Sequence, residues 1–69
     1  MRKLSVGETV YLNDGDSGEV VAVLNGGYEL LMESTGKYHG INDDGSCGMF
    51  GHHINHAVDI SRLGEGATS

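Results

Sequence analysis

Apolar and polar residues alternate in short runs through the first half of the chain. In residues 8–12, Val10 and Leu12 fall on one side of an extended strand, because successive side chains alternate across a pleat. Residues 19–24 form a longer apolar run rich in β-branched side chains, a pattern typical of a central strand covered on both faces. These two runs predict the first two strands of a β-sheet.

Short turns separate the apolar runs. Residues 13–16 concentrate Asn, Asp and Gly, the residue types that tolerate turn conformations. Asn25-Gly26 is the strongest short-range hairpin signal, because a two-residue hairpin turn requires positive φ at both positions. Residues 28–32 then return as a third strand, and residues 33–36 form the next turn. Connections this short predict antiparallel pairing of consecutive strands.

The second half of the chain has a weaker strand pattern. Residues 37–41 predict a fourth strand, and residues 57–60 predict a fifth strand that closes the sheet. Asp59 or Ser61 begins a short turn of 3₁₀ helix towards Leu63. The fold class that follows is all-β.

We therefore predict five antiparallel strands in a strongly bent sheet or a small barrel. They belong to a single domain that spans residues 1–63. Residues 64–69 are small and polar, and they predict a flexible C-terminal tail.

Met49 and Phe50 lie among the glycines at positions 45, 48 and 51, in a predicted loop. Two interpretations are open. The pair is either a plug that closes one end of the barrel or an apolar contact for a partner or a second copy. The plug is the favoured interpretation, because the chain has no other phenylalanine to fill its core.

Composition agrees with one small core. A chain of 69 residues buries about 60% of the surface that it exposes when unfolded. The single cysteine, Cys47, excludes a disulfide framework and favours a reducing compartment. No segment approaches the length of a membrane span, and no apolar signal region follows Arg2 and Lys3. We predict a cytoplasmic protein without membrane contact.

Charge narrows the classes of partner. Ten acidic residues oppose four basic ones, which gives a formal net charge of −6. Binding to phosphate backbones needs clustered Lys and Arg, so nucleic acid is disfavoured. Two interpretations of the acidic residues are open. They keep the protein soluble, which is the favoured interpretation, or they bind a basic protein surface. Protonating all four histidines changes the formal charge from −6 to −2, so such binding is expected to weaken below about pH 6. The basic residues are dispersed: Arg2, Lys3, Lys37 and Arg62.

Imidazole and thiol side chains make the most suggestive chemical cluster. Zinc prefers these ligands, and four of them complete a tetrahedral site that stabilises a small domain. Ordinary polar histidines are the favoured alternative, because the spacing matches no known signature and no glutamate stands in the HExxH position. The candidate metal ligands are His39, Cys47, His52, His53 and His56.

Catalytic and nucleotide-binding motifs are missing from the sequence. The segments that begin at Asp14 and Asn42 fail the pattern of a calcium-binding loop at its glycine position. Cys47 is a weak candidate for a nucleophile, because so short a chain has little room for a substrate cleft and an oxyanion hole. We therefore predict that the protein is not an enzyme.

The first half of the chain resembles a known family of folds. Residues 6–12 (VGETVYL) and 18–23 (GEVVAV), separated by a loop, resemble the opening of small SH3-like barrels, including KOW-type modules. The resemblance implies a small five-stranded antiparallel SH3-like barrel. KOW modules contact RNA or the ribosome through basic loops, whereas the matching loop here, residues 13–17, is acidic.

The second half resembles another group of proteins. Tyr38, residues 44–46, Gly51 and residues 59–60 make a pattern similar to small uncharacterised proteins of phages and prophages. The resemblance implies an accessory or inhibitor protein that binds a host machine.

The predicted function is a non-enzymatic protein-interaction module. Its partner is a protein with a basic surface, for example a bacterial defence nuclease complex that a phage-type inhibitor blocks. Charges in exposed turns steer the encounter, and aromatic side chains anchor it. The alternatives are a small zinc-binding domain and a KOW-like nucleic-acid-binding module, and a homodimer is a further option. The predicted partner-binding residues are Asp14, Asp16, Asp43, Asp44, Tyr11, Tyr28 and Tyr38.

Overall fold

Four β-strands form one antiparallel sheet in the computed structural model, which describes residues 1–63. Each strand pairs with the next in the order β1-β2-β3-β4, as predicted from the short turns. Two 3₁₀ turns, Ile54–His56 and Ile60–Arg62, follow the sheet, and no α-helix occurs in this part of the chain. The strands are β1 (Thr9–Tyr11), β2 (Ser17–Leu24), β3 (Gly27–Met32) and β4 (Tyr38–Asn42).

The hairpin predicted at Asn25-Gly26 is confirmed. Those two residues alone connect β2 to β3, and Gly26 has a positive φ of 87°. Asn25 does not have a positive φ, so the expectation of positive φ at both turn positions is wrong. Gly27 then begins β3 in direct contact with β4. A Cβ atom at Gly27 would overlap the carbonyl oxygen of Ile41, so only glycine fits there.

The core lies on one face of the sheet. Its most buried members include Val20 and Leu30, which are fully buried on the two central strands. The predicted inward face of β1 is confirmed, because Val10 and Leu12 are both buried. The remaining members of the cluster are Leu4, Tyr28, Met32, Ile41 and Val58.

The prediction that both faces of β2 are covered along its length is wrong. Val23 and Leu24 are 58% and 51% exposed. The reason is the shortness of β1, whose pairing with β2 covers only Ser17 to Glu19. A bulge between Val20 and Ala22 also shifts the register with β3. The far half of β2 therefore lies beyond β1 and forms a free edge of the sheet beside β3.

The predicted fifth strand is reduced to a single bridge. Val58 pairs with Leu12, and its backbone N–H donates to the carbonyl oxygen of Gly45 at 2.8 Å. Pairing stops there because the chain turns at Asp59, whose side chain accepts from the backbone N–H of Ser61 and begins the second 3₁₀ turn. That turn was predicted. The observed architecture is a four-stranded open sheet, and it does not confirm a five-stranded barrel.

Residues 64–69, where we predicted a flexible tail, lie outside the described residues. Within residues 1–63, no helix is long and apolar enough to cross a membrane.

Candidate functional site

The chain after β4 forms two connected loops, an acidic loop (residues 43–46) and the Gly48–Gly51 turn. Asn42 joins them. Its side-chain amide donates to the hydroxyl oxygen of Ser46 at 2.9 Å and to the carbonyl oxygen of Gly48 at 3.0 Å. Its backbone N–H also donates to the carbonyl oxygen of Ser46, at 2.8 Å. One half-buried asparagine therefore fixes both loops to the end of the sheet.

Phe50 stands at the tip of the Gly48–Gly51 turn. The turn is closed by a 3.0 Å hydrogen bond from the N–H of Gly51 to the carbonyl oxygen of Gly48. Phe50 is 96% exposed and has a φ of 75°, a value that bulky residues rarely adopt. The neighbouring Met49 is 75% exposed. The prediction that this pair plugs one end of the barrel is wrong, because Tyr28 and the aliphatic residues around it already fill the core.

Two of the predicted partner-binding acids hold the β1–β2 turn together. One Asp14 carboxylate oxygen accepts from the backbone N–H of Asp16 at 2.9 Å. Asp16 accepts from the N–H of Ser17 at 2.9 Å and from the hydroxyl of Ser34 at 2.8 Å. The two bonds from backbone N–H groups are the usual role of Asp in turns, so the two carboxylates stabilise the turn whatever else they bind.

The other two acids lie in the acidic loop and differ from each other. Asp44 accepts from both the hydroxyl and the backbone N–H of Ser46, at 2.5 and 2.9 Å. The bond from the Ser46 hydroxyl is the main reason why the pKa of Asp44 is lowered. Asp43 is exposed, and its carboxylate makes no hydrogen bond or ion pair within residues 1–63. Of the four predicted partner-binding acids, Asp43 is therefore the one whose charge local bonding leaves most available.

The two acidic groups lie at opposite ends of the sheet. The bond between Asp16 and Ser34 joins the β1–β2 turn to the β3–β4 turn at one end. At the other end, the backbone N–H of Asp43 donates to the carbonyl oxygen of Gly26 in the β2–β3 turn, at 2.9 Å. The acidic loop is the group that neighbours Phe50, because Gly51 packs against Ser46.

The three tyrosines occupy different environments. The prediction that Tyr28 is exposed is wrong, because it is 5% exposed and belongs to the core. Tyr11 is half-buried, and the guanidinium carbon of Arg62 lies 3.9 Å from the centre of its ring. Tyr38 is 67% exposed on the edge strand β4. Only Tyr38 presents a largely free aromatic ring among these three.

The predicted metal ligands gather on one side of the molecule without converging on a point. His39 Nε2 lies 3.5 Å from Cys47 Sγ and 3.1 Å from the carbonyl oxygen of His56. The rings of His39 and His56 have centroids 5.8 Å apart, and those of His53 and His56 are 6.4 Å apart. In the described part of the chain, no group of three His, Cys, Asp or Glu side chains is arranged to hold a metal ion. The zinc site stays a prediction.

The histidine segment also borders a shallow depression of about 430 Å³. His56 Nδ1 lies 3.4 Å from a carboxylate oxygen of Asp14, an ion pair when the imidazole is protonated. Cys47 is buried beside this segment, and burial raises the pKa of its thiol. A thiol with a raised pKa is a poor nucleophile, because the thiolate is the reactive form. The depression is lined by His52, His53, Ile54, Asn55 and His56.

Sequence reasoning missed two contacts that shape this surface. The Asn42 amide bonds two loops at once, and nothing in its sequence neighbours indicates this. The stacking of Arg62 on Tyr11 joins residues far apart in sequence. Neither contact has a local sequence signal.

Comparison of the chain with protein-family models, with curated proteins and with the solved structures finds no match. The likeness to SH3-like barrels and to small phage proteins stays a prediction from the sequence.

Proposed function

We propose that this chain is a non-enzymatic protein-interaction module that binds a basic surface of a partner protein. The observation that carries the proposal is the excess, in the described part of the chain, of carboxylates that form no ion pair with an arginine or lysine. The formal net charge is −6, and within residues 1–63 a single ion pair joins a carboxylate to an arginine or lysine, between Glu8 and Arg2. The other acids of this region keep their charge uncompensated by such a contact, so the surface attracts cations.

The chemistry of the described residues supports a binding role over catalysis. No polar or charged side chain is fully buried between residues 1 and 63. Catalytic groups depend on desolvated, preorganised surroundings that shift their pKa values. Here the three histidines at positions 52, 53 and 56 are exposed, and the Cys47 thiol favours its protonated form.

The acidic loop is the proposed contact surface for steering. Asp43 and Asp44 are exposed next to each other, and Asn42 fixes the loop that carries them. A fixed pair of carboxylates raises the rate of encounter with a basic surface and disfavours partners of like charge. Asp14 and Asp16 contribute to the overall negative field from the opposite end of the sheet.

The proposal extends to the kind of fold and partner. The bridge between Leu12 and Val58 brings the end of the chain back to β1, which supports a small SH3-like barrel with an incomplete fifth strand. A basic surface that binds phosphates is the natural target of an acidic protein of this size. A phage-type inhibitor that occupies the nucleic-acid site of a cytoplasmic host complex, such as a defence nuclease, fits this chemistry.

Charge reversal in the acidic loop tests the proposal. The chain, attached to resin without a histidine tag, captures proteins from bacterial lysate at low and at high salt. We expect a basic protein that is released by salt, and a loss of about tenfold or more in its capture by the Asp43→Lys, Asp44→Lys double variant. The matched control, Glu29→Lys with Glu33→Lys, makes the same change in net charge on β3 and its following turn. Equal loss in the control, or unchanged capture by the double variant, rejects the acidic loop as the contact.

A further inference from the structure

Phe50 is the most exposed large apolar side chain in the described residues, and it is the only phenylalanine in the chain. A φ of 75° at such a residue is a backbone outlier. Outliers of this kind persist where the surrounding structure fixes them, and they concentrate at functional sites. The residue that most needs burial is therefore held outside the core.

Four contacts fix the backbone on both sides of Phe50. Gly48 accepts hydrogen bonds from the Asn42 side chain and from the N–H of Gly51, both at 3.0 Å. Past the tip, the N–H of His53 donates to the carbonyl oxygen of Cys47 at 3.1 Å. Gly51 packs against Ser46, where an added Cβ would lie 3.1 Å from the Ser46 Cβ. A side chain presented on so constrained a turn loses little backbone entropy when it binds.

The acidic loop lies directly beside this turn. Ser46 contacts both, because its hydroxyl donates to Asp44 and its side chain packs against Gly51. Met49, next to Phe50, adds a second exposed apolar side chain. An apolar anchor therefore adjoins a pair of exposed carboxylates, the arrangement of an interface centre with its charged rim.

We propose that Phe50 is an anchor that inserts into an apolar pocket, rimmed by Lys or Arg, on the partner protein. This inference rests on the proposed function and names the contact that holds the partner. Charge complementarity favours a basic protein over the other possible partners. A second copy of the chain carries the same formal charge of −6, and an anionic lipid surface repels that charge as well. The convex turn requires a concave partner surface, and its acidic neighbours require a basic rim.

The first step of the test identifies what lies against Phe50. The photo-crosslinking residue p-benzoyl-phenylalanine replaces Phe50 in one protein and Tyr38 in a matched control, and both are irradiated in bacterial lysate. Tyr38 is also aromatic and exposed, but it lies on β4. We expect the residue at position 50 to crosslink to one basic protein, at an apolar site flanked by Lys or Arg, and the residue at position 38 to leave that protein unlabelled.

The second step measures affinity for that purified protein by calorimetry. Truncating a central anchor commonly costs about 30-fold in Kd, and we expect that loss for Phe50→Ala. Tyr38→Ala is expected to change Kd less than about threefold. The thermal midpoint of Phe50→Ala alone should stay close to that of the wild type, because the side chain contacts no core residue.

The outcomes separate the two proposals. Loss of binding in the Asp43→Lys, Asp44→Lys variant with unchanged binding in Phe50→Ala rejects the anchor and leaves the proposed function standing. Loss in Phe50→Ala alone supports the anchor but rejects the acidic contact and, with it, the basic rim of the pocket. Crosslinks to a second copy of the chain, binding to vesicles of phosphatidylcholine and phosphatidylglycerol that depends on Phe50, or no crosslink at all overturns the inference.

Discussion

The backbone N–H of Leu4 donates a hydrogen bond to the hydroxyl oxygen of Tyr28, 3.1 Å away. Both residues are buried members of the core. The bond attaches the N-terminal segment to β3, a strand that lies two positions away from β1 in the sheet. Tyr28 thus has a structural role, because its phenol oxygen satisfies the buried backbone N–H of Leu4.

Removing that hydroxyl should weaken the fold without changing its shape. Tyr28→Phe leaves the Leu4 N–H unsatisfied, and we expect a loss of about 1–3 kcal/mol in the free energy of unfolding. Urea denaturation measures this change in the free energy of unfolding. The matched control is Tyr38→Phe, because Tyr38 is exposed and a change within about 0.5 kcal/mol is expected there. Equal losses in the two variants would contradict a special role for the Leu4 contact.

Two glycines on the paired strands β3 and β4, Gly27 opposite Asn42 and Gly40 opposite Glu29, should respond in opposite ways. Gly27→Ala places a methyl group against the Ile41 carbonyl, and we expect a loss of about 1–3 kcal/mol or more in stability. Gly40→Ala meets no atom within 4 Å and should be neutral or stabilising by about 0.5–1 kcal/mol. Thermal unfolding of both variants checks the pair, and similar midpoints would show that the close approach at Gly27 is wrong.

Glycine should be preferred to alanine at position 50. The positive φ of Phe50 strains any residue with a Cβ, so Phe50→Gly should be more stable than Phe50→Ala by about 1 kcal/mol. Met49 has no such φ, and Met49→Gly should be less stable than Met49→Ala by about 0.5–1 kcal/mol. The comparison uses chemical denaturation of all four variants. If the Gly and Ala variants have the same order of stability at both positions, the backbone at Phe50 is not strained.

Acid should destabilise the fold through two carboxyl groups. A hydrogen bond from Arg2 is the main cause that lowers the pKa of Glu8, and the Ser46 hydroxyl lowers the pKa of Asp44. A pKa lower in the folded than in the unfolded state gives stability that is present above the unfolded value. That stability is lost as pH falls through the folded value.

We therefore expect a melting temperature that is level near neutrality and falls below about pH 4. Glu8→Gln should flatten this fall relative to wild type, whereas Glu33→Gln should leave it unchanged, because Glu33 makes no ion pair within residues 1–63. Calorimetric scans from pH 7 to pH 3 measure the slopes. Identical slopes in all three proteins would mean that the pair of Arg2 and Glu8 does not form in solution.

Zinc content tests the histidine cluster. His39 Nε2 and Cys47 Sγ lie only 3.5 Å apart, but no group of three candidate ligands in residues 1–63 is arranged to hold a metal ion. We therefore expect far less than one zinc per chain in protein purified without a histidine tag and dialysed against zinc. Elemental analysis gives the ratio. A stoichiometric ion that is lost in His39→Ala and in His56→Ala would establish the small zinc domain in place of the arrangement described above.

Local signals account for the parts of the fold that the sequence predicts. The alternation around Val10 and the turn at Asn25-Gly26 act over a few residues, so the strands and their pairing are readable. The turn capped by Asp59 is local as well. The extent of the fifth strand cannot be predicted from the sequence, because its pairing with Leu12 is a contact between residues 46 positions apart. The turn capped by Asp59 ends the strand after one bridge.

The site was harder to predict because its exposure depends on tertiary contacts. Tyr28 looks like any amphipathic strand residue until Leu4 is placed against its hydroxyl. Phe50 looks like a core residue because of its side chain alone. Its three neighbouring glycines, at positions 45, 48 and 51, were the available sign of an irregular turn, but glycine does not tell which way the turn faces.

The Gly48–Gly51 turn joins the sheet through hydrogen bonds of Asn42 and adds no side chain to the core. Side-chain changes at its tip thus remove no packing from the core. Under the proposed function, such a separation would let natural variation alter which protein is recognised while the strands remain constant, much as a binding loop diverges on an antibody framework. An interaction module built in this way would follow a changing target, substitution by substitution, without first becoming more stable.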